Sequence, residues 1–297
     1  MIVDFHTHIF PQRIKDNREQ YASKDSAFSQ LYSKSSARIA TANDLLASMD
    51  KAAIDISVAL NFGWQSHDLC IETNDYLIEA LGRYPERIIG FCSIQPSAGE
   101  KALRELERCH QNGIRGIGEV RLDEQNIDPT DKVFVGPFIK LAESLGMIML
   151  IHASEPVGHS YPGKSVTNLT KLYHLIETYP KLKVVLAHWG GGMPFYGLMP
   201  EVAKALENTY FDTAATQLLY NNHIFQFVGQ VVSPEKILFA SDFPLISQRG
   251  TLDLIKSLAI SVEHQALILG KNAERLLGLM EPDLEITKPV YEGLHSN

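Results

Sequence analysis

Two histidines one residue apart, His6 and His8, close an apolar run that starts at the second residue, Ile2-Val3-Asp4-Phe5. Along a strand, side chains alternate faces, so His6 and His8 project together, Thr7 points the opposite way, and both imidazoles come within reach of one metal ion. Three later apolar runs end in side chains of the same kind. Met147-Ile148-Met149-Leu150-Ile151 delivers His152, Val184-Val185-Leu186-Ala187 delivers His188, and Ile237-Leu238-Phe239-Ala240-Ser241 delivers Asp242. One such run could be accident; four in one chain read as parallel strands presenting metal ligands at one end of a barrel.

The elements that would position these residues recur with a regular period. Further strands are expected over 56–61, 88–94, 114–120 and 210–213, the fourth of the chain closing on Glu119. Between them lie amphipathic or capped stretches: a helix entered through Thr41-Ala42-Asn43-Asp44, one after Asn74-Asp75 ending near Tyr84-Pro85, and others over 100–111, 132–145, 167–179 and 200–207. About eight strands alternating with helices give a (β/α)8 TIM barrel, read here as one domain over 1–297. A polar excursion over 9–41 interrupts it as a lid or loosely ordered loop, and helices over 251–280 close it. Ligands on strands one, five, six and eight meet only if the sheet closes, which argues against an open doubly wound sheet. No G-x-G-x-x-G follows the first strand, and Gly190-Gly191-Gly192 lacks a P-loop lysine, so these glycines are expected to let backbone pass close to the metal site.

Composition narrows the class further. The 297 residues suffice for a large core, and a net charge of −8 disfavours a nucleic-acid or membrane-surface binder. Cys70, Cys92 and Cys109 are scattered without C-x-x-C spacing and read as reduced, buried residues of a cytoplasmic protein. No leader pattern precedes the first strand, and no apolar run reaches the roughly 18 residues of a membrane span.

Asp4-Phe5-His6-Thr7-His8-Ile9-Phe10-Pro11, Asn74-Asp75-Tyr76 with Tyr84-Pro85-Glu86-Arg87-Ile88-Ile89-Gly90-Phe91, Ala187-His188-Trp189-Gly190-Gly191, Ser241-Asp242-Phe243-Pro244 and the stretch Gly270 to Leu277 together resemble the amidohydrolase superfamily, in the branch related to aminocarboxymuconate semialdehyde decarboxylase. The resemblance implies that His6, His8, His152 and Asp242 hold a divalent ion, usually zinc, with His188 beside the water bound to it. Such an ion acidifies water, Asp242 can also accept a proton, and His188 titrates in the range of a general base. Gly116-Ile117-Gly118-Glu119-Val120-Arg121 departs from the plainest decarboxylase pattern. It is similar to the fourth-strand motif of TatD-type deoxyribonucleases, which implies that Glu119, His152 and His188 could hold a second ion; otherwise Glu119 merely pairs with Arg121 on the same strand face.

The expected activity is therefore metal-dependent hydrolysis of a small ester, lactone or amide, with Asp242 and His188 catalytic. The alternative is non-oxidative decarboxylation of an aromatic or dienoic acid; a barrel that only binds, or a nuclease, ranks lower. Arg121, Arg249 and His159 follow strands four, eight and five and could steer a substrate carboxylate, Arg249 first among them because it follows Asp242 closely. Trp64 and Trp189 could wall the pocket, and Asp4 is expected lower on the face of His6 and His8 as a hydrogen-bond partner. His67, His110, His174, His223, His264 and His295 have no ligand partners in sequence and read as packing or surface residues. The partner is a small molecule, and the outer helices could pack two copies as a homodimer.

Overall fold

The computed structural model describes residues 1–165 and 168–279, so His295 and the end of the expected 251–280 segment lie outside the described residues. Eight parallel strands pair in chain order: β1 (Val3–His8), β2 (Ile56–Leu60), β3 (Ile88–Cys92), β4 (Gly116–Val120), β5 (Ile148–Ile151), β6 (Lys183–Leu186), β7 (Thr209–Asp212) and β8 (Ile237–Leu238). Closure between β8 and β1 is made by single backbone bonds, Phe5 N to Phe239 O at 2.8 Å, Asp242 N to His6 O at 2.9 Å and His8 N to Phe243 O at 2.7 Å. The expected barrel is present.

Helices occupy the connections: α1 (Gln12–Asp16), α2 (Arg18–Ala22) and α3 (Ser26–Tyr32) within the excursion, then α4 (Ala42–Ala52), α5 (His67–Arg83), α6 (Glu100–Gln111), α7 (Lys132–Ser144) and α8 (Leu169–Thr178). They continue with α9 (Pro200–Ala205), α10 (Thr216–Leu219), α11 (His223–Val232), α12 (Gln248–Lys256), α13 (Val262–Ala266) and α14 (Asn272–Leu277). None is long and apolar enough to cross a membrane. Val3, Phe5, Val58, Leu60, Phe91, Leu150, Val185 and Leu238 form a buried cluster that Ala273, Leu276 and Leu277 of α14 join. A larger cluster packs helices such as α4, α6 and α7 against strand residues including Ile117, Met149 and Val184.

Two segments differ from their sequence-based expectation. α4 starts where Thr41 and Asp44 form a reciprocal capping box, as its sequence implies. α5, by contrast, starts seven residues before Asn74, and Asn74 is buried in mid-helix. Its side chain bonds Asn61, Ser93 and Glu105 instead of capping. The 9–41 excursion is not a loose loop: Phe10, Tyr21, Phe28, Phe62 and Trp64 make a core of their own. Phe28 stacks on Trp64 at 5.1 Å between ring centroids. Asp25 caps α3 at Phe28 N and also accepts from Gln65 N, tying the excursion to the loop after β2. Aromatic residues thinly spaced among Ser, Lys and Gln suffice, because the rings converge from the exit of β1, from α2 and α3 and from the β2 loop.

Candidate metal centre

The strand ends converge at one end of the barrel. His6 and His8 on β1 bring their Nε2 atoms to 3.1 Å from each other. Asp242 Oδ1, just past β8, lies 3.6 and 3.5 Å from those nitrogens. Glu119, on β4, stands in the middle: Oε1 is 4.0 Å from His6 Nε2, and Oε2 is 3.8 Å from His8 Nε2. On its other side, Oε1 meets His152 Nδ1 at 2.7 Å and His188 Nε2 at 3.6 Å. Oε2 also lies 3.6 Å from an Arg121 nitrogen, so Glu119 faces the imidazoles and the arginine together.

Grouped by mutual distance, the donors form overlapping triads: His6, His8 and Glu119; His6, His188 and Asp242; Glu119, His152 and His188. His152 thus falls with Glu119 and His188, the grouping that the fourth-strand resemblance implied for a second ion, and not with His6, His8 and Asp242 as the wider family resemblance implied. The backbone is specialised at the same place, with the non-glycine residues His188 and Asp242 in the left-handed region at φ 55° and 64°. Trp189 through Gly192 continue in that region. A Cβ on Gly191 would lie 2.4 Å from Ser154 O, so the glycines do let the segment after β6 run against the exit of β5.

The residue that strand-end reading missed is Asp212. It ends β7, is fully buried, and accepts from His6 Nδ1 at 2.8 Å, from His188 N at 2.8 Å and from Ala214 N at 3.0 Å. Its position, an acid closing a barrel strand like Glu119, was the available signal. Asp4, expected on the face of His6 and His8, is instead separated from it because the ladder to β2 shifts register between Asp4 and Thr7. The Asp4 carboxylate accepts from Ser241 N and Oγ and from Gln248 of α12, and burial pushes it up to about 6.

These residues fit a divalent cation. Ligands held about 2.1 Å from one ion lie roughly 3.0–3.4 Å apart, which the Nε2 pair already matches. With His6 Nδ1 donating to Asp212, its Nε2 is left with the lone pair a metal needs. Burial resists charge on His6, yet the Asp212 contact, with Asp242 and Glu119 beyond, pushes it up to about 10. Burial and that neighbouring charge push His8 down to about 4. Glu119, despite burial, is held well below the usual carboxylate range by His152, His188 and His6. A metal cation in place of the His6 proton would serve the same carboxylates.

Above the cluster opens a cavity of about 630 Å³, within the range of small-molecule sites, lined by Tyr32, Arg38, Phe62, Arg121, His159 and Leu218 among others. Arg121 is buried at its wall, donating to Gly163 O at 3.0 Å and to Glu124 at 2.9 Å, with Nη1 3.1 Å from the His152 Nδ1 that faces Glu119. His159 lines the rim and packs on Tyr161. Arg249 does not reach the cavity: it is the second residue of α12, exposed, and both contacts of its Nε go to Asp253 four residues on. Nor do the tryptophans wall it. Trp64 is buried in the excursion core with Nε1 on Thr73, and Trp189 packs on Phe225 with Nε1 on Thr216. Each follows a strand, but its indole turns to the helix layer, where both its area and its N–H are satisfied.

The amidohydrolase family model matches residues 3–279, and the chain belongs to that family. Among curated relatives, 2-amino-3-carboxymuconate-6-semialdehyde decarboxylase of Dictyostelium discoideum is 22% identical, with 93% of this chain and 91% of that one covered. Gamma-resorcylate decarboxylase of Polaromonas sp. is 24% identical over 72% of this chain and 78% of its own. Among solved structures, 5-carboxyvanillate decarboxylase from Novosphingobium aromaticivorans, complexed with manganese and 4-hydroxy-3-methoxy-5-nitrobenzoic acid, superposes with a TM-score of 0.74 at 17% identity, covering 94% and 96% of the two chains. The expectation of a hydrolase of esters, lactones or amides is corrected by these relatives. Full-length similarity runs to decarboxylases, and Glu119, which had weighed against that activity, sits in the same cluster without excluding it.

Proposed function

We propose that the chain is a metal-dependent, non-oxidative decarboxylase of an aromatic or dienoic carboxylic acid, a small molecule held in the cavity above the cluster. The observation that carries the reading is the pairing of decarboxylase relatives along nearly the whole chain with an imidazole–carboxylate cluster beneath a cavity of suitable size. His6, His8, Glu119 and Asp242 would hold the ion, with His152 at its flank. Imidazole and carboxylate ligands suit zinc or manganese, and the ion when bound supplies positive charge that orients the acid and stabilises the electron-rich carbon skeleton left as carbon dioxide departs.

The chain's own residues supply the proton. Ala214 O can only accept, so His188 Nδ1, 3.2 Å away, carries hydrogen toward it and Nε2 is the working atom. Burial resists its charge, but Glu119, Asp242 and Asp212 nearby hold His188 above the ordinary histidine value, favouring a charged imidazole able to donate. As the C–C bond to the carboxylate breaks, its electron pair stays on the substrate carbon, which takes the proton from Nε2; His188 recovers one from solvent. Arg121 and His159 bring positive or donor groups to an anionic substrate, and Phe62 offers an apolar wall.

The experiment is carbon dioxide release from 2,6-dihydroxybenzoate and 5-carboxyvanillate by the zinc- or manganese-loaded protein, with His188→Ala alongside. His188→Ala is expected to lower kcat by at least about a hundredfold, the usual worth of a placed general acid, while keeping metal content. Loss of metal with the histidine would place His188 among the ligands instead, and cleavage of esters or lactones without any carbon dioxide release would overturn the decarboxylase reading.

A further inference from the structure

The excursion between β1 and β2 contributes a side chain whose chemistry the sequence left unread, Tyr32 at the end of α3. Its ring is fixed among Phe10, Phe28 and Phe62, at centroid distances of 5.3, 4.8 and 6.0 Å. The residue lines the cavity together with His8, Glu119, Arg121 and Asp242. Its hydroxyl makes no hydrogen bond among the described residues, and the charges acting on it are those of Asp242, Glu119 and Arg121. Burial and the two carboxylates push the phenol above its ordinary range, so at working pH it is neutral and able to donate. Arg121 beside it is almost wholly buried, and its Nε has no partner. Neither the arginine nor the phenol has been given an acceptor that accounts for all its donors.

In the free protein water can satisfy a hydroxyl that faces a cavity, but a ligand that displaces the water must replace its acceptor. We propose that Tyr32 is a specificity-determining residue: its hydroxyl donates a hydrogen bond to an oxygen of the bound carboxylic acid, on the wall where Arg121 supplies the opposite charge. The inference rests on the carboxylic-acid reading of the cavity and adds a donor from outside the barrel strands. It also gives the excursion a function, because the aromatic core that folds it holds the Tyr32 ring at the site.

The test is Tyr32→Phe in the full-length, manganese-loaded protein. Calorimetric titration uses 2,6-dihydroxybenzoate and 4-hydroxy-3-methoxy-5-nitrobenzoate, with resorcinol as the counterpart lacking a carboxylate. The variant keeps the ring and its packing, so Tm is expected to stay within about 2 °C while Kd for the acids rises about tenfold or more, the loss expected for a hydrogen bond to a charged group. Kd for resorcinol is expected to be unchanged. Acid affinities within twofold of the native protein's, or an equal loss for resorcinol, overturn the assignment to Tyr32 alone. Binding of neither acid by the native protein overturns the carboxylic-acid reading and this inference with it.

Discussion

Replacing Asp212 by asparagine isolates one proton on one imidazole. The carboxylate accepts through Oδ1 from His188 N and Ala214 N and through Oδ2 from His6 Nδ1, at 2.8 Å in the last case. Asparagine has the same shape and can keep its oxygen on the two backbone donors, but its amide nitrogen then faces His6 Nδ1. Two donors cannot share that contact, so His6 is driven to the tautomer with hydrogen on Nε2, the nitrogen 3.1 Å from His8 Nε2 that a cation needs bare. Disturbing such a partner of a metal-binding histidine typically weakens metal affinity by 10–100-fold, about 1.4–2.7 kcal/mol. Manganese and zinc titrations against a competing chelator would read this directly. Because the two backbone donors stay satisfied, the metal-free variant should still fold cooperatively, melting below the native protein by the loss of the buried His6–Asp212 pair. Unchanged metal affinity in Asp212→Asn, alongside its loss in His6→Ala, would refute the tautomer argument and leave Asp212 as a backbone anchor only.

Two further substitutions probe the frame around the site. Gly191→Ala puts a Cβ at φ +58° and 2.4 Å from the carbonyl oxygen of Ser154, so backbone must shift. If the proposed activity holds, carbon dioxide release is expected to fall more than about tenfold and Tm to drop, through a displaced β5 exit bearing His152; a variant with native rate and stability would refute the close-packing argument. Glu105→Gln removes a buried carboxylate that Arg108 grips through Nε and Nη2, both at 2.8 Å, and that Asn74 also contacts. Burial opposes the charge of Glu105, but Arg108 and Asn74 hold its carboxyl below the usual range. Its stabilisation is therefore full above the unfolded value near 4.5 and is lost as pH falls through the lower folded value. Denaturant unfolding of the metal-free protein should show Glu105→Gln costing about 1.5–3 kcal/mol at pH 7, with the difference from native shrinking below pH 4.5. A difference that is constant with pH would contradict the pairing.

The barrel and most of its strand-end side chains were legible because both depend on local pattern. Alternation along β1 pairs His6 with His8, and apolar runs separated by capped helices give the period of a closed parallel sheet. His6, His8, Glu119, His152, His188 and Asp242 could be named from strand ends alone, since a strand of known direction fixes which end faces the site. Their grouping could not. Which donors approach one another depends on the stagger of strands and on residues such as His188 and Asp242 taking left-handed backbone, and that set Glu119 at the centre with His152 on its far side.

Side chains beyond the strands were harder to place, because a loop's sequence does not reveal where its side chains turn. Trp64, Trp189 and Arg249 lie in segments that follow strands, as Arg121 does. Yet the indoles found partners in the helix layer and Arg249 found Asp253 on its own helix, while Arg121 alone of these turned inward. Asp4 lost the face of His6 and His8 to a register shift that alternation cannot foresee. The chain by itself determined the architecture and the kind of ligand at each strand end, since these follow from short-range periodicity and side-chain chemistry. Only the tertiary structure decided that Asp212 orients His6 and that Tyr32 reaches the cavity, because those contacts join residues 206 positions apart in the first case and an excursion to the barrel in the second.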